Sequence, residues 1–236
     1  DEAYPAMLAA IDGARRSVAL ATYIFGDDRA GKPFIEALSR AAKRGVEVRV
    51  LLDGVGASYT WPPVHKSLRR AGVRTGLFLP RIREAGLAFF NLRNHRKVLT
   101  VDGRIAFTGG INIQARNIHA DGPPKTVRDL HFQLEGPIVG QLQEAFSEDW
   151  AFTTREVLDG GDWYPTLLAA GETTARTFTD GPDGDLEILR SVLMGALSMA
   201  REMGPFITAT ILAAAVGSAL AAEIGTMAVS EELAAL

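Results

Sequence analysis

Two residues in this chain could do phosphate chemistry together. In the run Asn94-His95-Arg96-Lys97-Val98-Leu99-Thr100-Val101-Asp102, a histidine and a lysine stand two apart. On an extended strand that spacing puts both side chains on one face. An imidazole can attack phosphorus or shuttle a proton, and an ammonium beside it can hold the phosphate oxygens. Shortly afterwards comes Gly109-Gly110-Ile111-Asn112. The glycines permit close approach of a ligand or a neighbouring strand, and Asn112 offers an amide donor beside them. A second polar pair, Asp129 and His131, is again two residues apart and shares a strand face.

The elements that must position these residues follow from periodicity. Helices are expected over 6–14, 33–43, 64–71 and 138–152, and strands over 17–25, 46–52, 73–79 and 130–134. Gly45 and Gly72 close two of the helices. The segment 99–108 reads as a strand pair turning at Asp102–Gly103. The early strand–helix alternation implies a largely parallel sheet with helices packed on its faces. Residues 153–183 are rich in Gly, Thr, Asp and Pro, the composition of a linker or long loop. Beyond them, 196–210 faintly echoes 11–23, helix then strand. The expected division is a catalytic lobe at 1–155, a linker or loop at 156–183, and the beginning of an incomplete second lobe at 184–236. The apolar run 206–222 is short for a spanning helix, which needs about 20 residues; a buried strand followed by an Ala-rich helix is expected there.

Composition bounds the partners. With 47% hydrophobic and 22% charged residues, a packed core is expected rather than disorder. The net charge is only -3, but ten Lys or Arg fall between Lys66 and Arg104 against Glu84 and Asp102. Such a local excess suits an anionic partner, phospholipid headgroup or nucleic acid, and equally suits a solvated face. With no cysteine there is no disulfide framework, thiolate metal site or cysteine nucleophile. The first residue is Asp1 rather than Met, so upstream residues are expected to precede it, with or without a membrane anchor among them.

The stretch from His95 to Asp102 with its trailing Gly-Gly-x-Asn resembles the His-x-Lys-x4-Asp motif of the phospholipase D superfamily. Over residues 1–155 the chain is similar to that superfamily's bacterial cardiolipin synthase branch. The similarity lies in Thr22-Tyr23-Ile24-Phe25, Ala41-Ala42-Lys43-Arg44-Gly45-Val46-Glu47-Val48, Leu52-Asp53-Gly54-Val55-Gly56, Asn91-Leu92-Arg93-Asn94-His95 and Arg128-Asp129-Leu130-His131. The resemblance implies an α/β fold, a mixed and mostly parallel sheet flanked by helices on both faces, with the motif at the sheet edge of a lobe interface. It implies that His95 is the nucleophile and that Lys97 and Asn112 bind phosphate oxygens. Asp102 would hold the motif's local structure, and Asp129 would orient His95. Asn94, Gly109, Gly110 and His131 are expected around the substrate, His131 equally as a structural residue. Neither a cofactor nor a metal is implied.

The implied activity is phosphatidyl transfer: one phosphatidylglycerol phosphatidylates His95 and a second resolves the intermediate. The implied setting is the cytoplasmic face of a bacterial membrane, peripherally bound or anchored by the upstream segment. Nucleic acid is not the expected partner. The superfamily's site needs two motifs and this chain has one, so a second lobe or a second copy must supply the general-acid histidine. The alternatives are a phosphodiesterase or nuclease on the same fold, and an inactive half that only binds phosphate.

The remaining candidates carry less. His65 and His119 are expected at the surface, and Trp61, Phe89 and Phe90 as packing residues with a lesser chance of touching lipid. Asp53, Ser58 and His65 have no nucleophile-elbow sequence around them. Gly54-Val55-Gly56 lacks the third glycine of a dinucleotide fingerprint.

Overall fold

Tyr4, Met7 and Ile11 are spaced three and four apart and all are buried, so α1 (Ala3–Gly13) presents one apolar stripe. β1 (Ser17–Thr22) follows, buried at every position as an interior strand must be. In α2 (Gly31–Lys43) the buried stripe is Phe34, Ala37, Leu38 and Ala41, and Gly45 ends the helix at φ 87. Then come β2 (Glu47–Asp53), α3 (Val64–Arg70), β3 (Arg74–Phe78), β4 (Val98–Val101), β5 (Ile105–Gly109), β6 (His131–Glu135) and α4 (Ile138–Thr154). The computed structural model describes residues 2–79, 93–118, 127, 129–173, 175–178, 191–192 and 194–195. Phe89, Phe90, His119, Arg128, the echo at 196–210 and the apolar run 206–222 lie outside these residues. Among the described residues no helix is long and apolar enough to cross a membrane.

The six strands form one sheet in the order β3-β2-β1-β4-β5-β6. Successive side chains alternate between its faces. Val18, Leu20, Val50 and Leu52 join α1, α2 and α3 in one core, whereas Ala19, Ala21 and Leu51 meet Phe146 and Trp150 of α4 on the other. The sheet is mixed and helix-covered on both faces, as expected, but it is not mostly parallel. β1 pairs parallel with β2, and β2 with β3. β1–β4, β4–β5 and β5–β6 are antiparallel. Helical crossovers connect only the first three strands, whereas the Asp102–Gly103 turn returns β5 against β4. Nor is the motif strand at an edge: β4 lies between β1 and β5.

Residues 156–173 contain neither helix nor strand, yet their first part belongs to the core. Leu158 and Trp163 are buried against Ala19, Ala21 and α4. Glu156 accepts from Arg49, Arg74 and the Trp150 indole. Asp162 pairs with Arg16, and its carbonyl accepts from Ser17. Farther on, Ala170 packs at Gly136 and Thr177 donates to Gln141. This strap crosses the sheet where β1, β2 and β3 begin and β6 ends.

Candidate active site

The polar residues gather at the other pole, where β1, β2 and β5 end and β4 and β6 begin. The register that pairs Ala21 with Val98 carries Tyr23, just past the end of β1, alongside the segment leading into β4. There the Tyr23 ring tilts against the His95 imidazole, centroids 4.0 Å apart. Lys97 Nζ lies 5.8 Å from the same ring centroid and donates to the His95 carbonyl at 2.6 Å. Thr108 of β5 donates to the Lys97 carbonyl at 3.0 Å. The two motif side chains therefore share one aromatic neighbour, as their spacing predicts.

Asp53 holds this segment from below. Its Oδ1 accepts the Val55 and Gly56 backbone N–H groups, and its Oδ2 accepts that of Asn94 at 3.0 Å. The residue is 1% exposed at the end of β2. Gly56 is required here, since a Cβ would fall 1.8 Å from the Tyr23 carbonyl oxygen. Asn94, expected at the substrate, is buried and engaged by the protein. Its Oδ1 accepts from Arg96 N–H, and its Nδ2 donates to Asp149 of α4 at 2.7 Å. Arg96 also pairs with Asp149.

The Gly109–Gly110 pair brings β6 close. A Cβ at Gly109 would sit 2.2 Å from the Leu130 carbonyl oxygen and 2.9 Å from His131 Nδ1. At Gly110 it would sit 2.1 Å from an Asp129 carboxylate oxygen. These glycines make room for a neighbouring strand, one of the two uses their presence suggests. Asn112 is fixed by its Oδ1, which accepts Ile24 N–H at 3.1 Å. Both ring nitrogens of His131 are enclosed without a hydrogen-bond partner among the described residues.

Charge is arranged to suit nucleophilic attack. Burial, with Lys97 and Arg93 nearby, pushes His95 below its ordinary range against the pull of Asp53, so the ring is neutral near pH 7. Burial also lowers Lys97 to about 8, opposed by Asp129, which leaves it mostly cationic at pH 7. Burial and Lys97 push His131 down to about 4. Tyr23 is pushed up by burial and by Tyr59, and keeps its phenolic proton. A neutral imidazole beside a cation can attack a phosphodiester while the cation holds its oxygens. The carboxylate whose charge reaches His95 is that of Asp53, whereas the charge of Asp129 acts on Lys97.

Asp102, the last residue of the motif, stands at the opposite pole. Its carboxylate accepts the backbone N–H groups of Arg15, Arg16 and Ser17, and its own N–H donates to the Ser17 carbonyl. It pins the entry of β1 from the turn between β4 and β5. Tyr23 and Asp53 are the site residues that sequence reasoning missed. Asp53 had one signal, a carboxylate at the carboxyl end of a parallel strand, where α/β sheets place their ligands.

Comparison with known proteins identifies the family. The family described as "Cardiolipin synthase, PLD-like domain" matches residues 7–150, and the chain belongs to that family. Cardiolipin synthase 1 of Bacillus anthracis is 29% identical over 211 residues, 86% of this chain and 41% of that protein. Cardiolipin synthase A of Pseudomonas putida is 37% identical over 154 residues, 65% of this chain and 32% of that one. The chain thus spans less than half the length of these relatives. Among solved structures, Nuc from Salmonella typhimurium, a phospholipase D family member, superposes with a TM-score of 0.46 at 20% identity, covering 62% of this chain and 85% of that one. A second family, described as "Permease MlaE", matches residues 188–236, the stretch read from sequence as the start of a second lobe.

Proposed function

We propose that this chain is the nucleophile-bearing lobe of a phosphatidyltransferase of cardiolipin synthase type. The observation that carries the reading is the cluster of neutral His95 against Tyr23 with cationic Lys97 beside it. His95 attacks the phosphorus of phosphatidylglycerol, the P–O bond to glycerol breaks, and a phosphatidyl-histidine forms. Glycerol leaves with a proton from a second histidine. The hydroxyl of another phosphatidylglycerol then attacks phosphorus, gives up its proton, and frees His95. Lys97 and Asn112 hold the non-bridging oxygens through both steps, and Asp53 supports the positive charge that grows on the ring.

His95 stands alone as a motif histidine in this sequence, so the proton donor comes from a second lobe or a second copy. Residues 1–155 are the catalytic lobe in this reading, with 156–183 a linker or loop and 184–236 the start of another unit. The permease match gives that last unit a rival identity, and under it a second copy completes the site. The substrate places the protein at a membrane surface, the cytoplasmic face being the side we assign.

The test is to incubate the chain with phosphatidylglycerol vesicles, quench, and search by mass spectrometry for a phosphatidyl adduct. An acid-labile adduct on His95, absent from His95→Ala, is expected. Turnover that survives His95→Ala, or an adduct on another residue, overturns the reading.

A further inference from the structure

The loop between β2 and α3 holds an indole out in water. Trp61 is 89% exposed and Tyr59 63%, whereas the other two tryptophans, Trp150 and Trp163, are 1% and 6% exposed. The loop is fixed to the site. Ser58 Oγ donates to the Val55 carbonyl and Thr60 Oγ1 to that of Phe25. The Tyr59 ring meets Tyr23 edge-on, centroids 6.1 Å apart, and Tyr23 lies on His95. The exposed aromatics are therefore continuous with the nucleophile's own surroundings.

Directly behind them α3 carries a basic face. Val64 and Leu68 are buried in the core, which fixes how the helix is turned. Lys66, Arg69 and Arg70, at the i, i+3 and i+4 spacing of one helical face, are all exposed. The helix contains no acidic residue. The adjacent Asp27 is engaged by the Ser67 hydroxyl. An aromatic tip followed by cations is the layering of an interfacial anchor. Indole and phenol rings settle at the headgroup boundary, and lysine and arginine attract anionic lipid. A single-stranded nucleic acid would instead favour cations interleaved with the rings along a groove.

We infer that Tyr59 and Trp61, backed by Lys66, Arg69 and Arg70, dock the lobe on an anionic lipid bilayer and hold His95 at the headgroup plane. The inference rests on the phospholipid-substrate reading above for its choice of partner. It explains how a lobe with a half-buried histidine reaches a phosphodiester that stays in its bilayer.

Trp61 is its own reporter, because the other two indoles are buried. Emission is followed while vesicles of phosphatidylglycerol, or of phosphatidylcholine alone, are added. A blue shift and quenching by lipids brominated in the acyl chain are expected with the anionic vesicles only. Trp61→Ala should weaken vesicle co-sedimentation roughly tenfold, as for an anchoring aromatic. Changing Lys66, Arg69 and Arg70 to Gln should weaken it about fivefold per cation at low ionic strength. Unchanged emission, or equal sedimentation of all variants, overturns the inference. So does a shift produced by single-stranded DNA but not by vesicles, or one that follows protein concentration alone, the sign of a second copy on this face. The His95 adduct is scored in the same samples. An adduct without a Trp61 shift sinks the docking surface alone, and a shift without an adduct sinks the transferase reading alone.

Discussion

The two ends of β4 belong to one motif and do different work. At one end His95 and Lys97 are half-buried beside Tyr23, both pKa values lowered by burial and that of His95 lowered further by Lys97. At the other, seven residues on and roughly 20 Å away at about 3.3 Å per residue, Asp102 accepts three backbone N–H groups and touches none of the site. A sequence motif records which residues occur together, not which act together. Here its first part forms the proposed reactive centre, and its last residue ties β4 to β1 beside it.

This contrast can be broken from either end. Removing the reactive end has the largest effect. His95→Ala should abolish adduct formation and turnover. Lys97→Met should lower turnover by about 10²–10³-fold, the usual scale for one preorganised group facing a developing anion, with little change in melting temperature. The opposite signature is expected at Asp102. Asp102→Ala strands three N–H groups and puts alanine at φ 53, costing about 2–3 kcal/mol of stability. Turnover per folded molecule, measured below the melting transition, should stay near that of the parent. If instead it falls as far as in Lys97→Met, the two ends are not separate.

Gly110→Ala should fall between these. Its Cβ would displace the Asp129 carboxylate, so a loss of turnover of about tenfold is expected alongside about 1–2 kcal/mol of destabilisation. The smallest effect is a shift of pH profile. The proposed mechanism needs His95 neutral and Lys97 protonated, so turnover should rise through a pH below the ordinary histidine value and fall as pH passes about 8. Asp129 holds the Lys97 pKa up. Asp129→Asn should therefore move the alkaline limb to lower pH and leave the acid limb in place. Movement of the acid limb instead would make Asp129 the partner of His95 that the family resemblance implies.

The same contrast shows what a sequence can disclose. His95 and Lys97 were legible because a two-residue spacing is a local property of a strand. The turn at Asp102–Gly103 and the apolar stripes of α2 and α4 were legible for the same reason. Tyr23 and Asp53 were not, because they reach His95 only through the pairing of β4 beside β1. That pairing joins segments about 80 residues apart and has no local signature. The parallel rhythm of the first three strands was extended too far, since nothing local announces that β4 enters reversed. Trp163 and Leu158 were hidden by their company: Gly, Asp and Thr around them read as a linker, although both side chains are buried.

The strap has a further consequence for how the proposed site would be completed. From Glu156 to Thr177 the chain is held along the pole remote from His95. Whatever follows sets out from the wrong side of the sheet. To bring a proton donor to His95, the same molecule must travel back over the length of the strands. A neighbouring molecule has no such length of its own chain to retrace. The two routes differ in their arithmetic, since one proceeds at a fixed effective concentration and the other at the concentration of protein present. Specific activity that climbs with dilution reversed, molecule for molecule, would mark the second route; activity indifferent to dilution would mark the first.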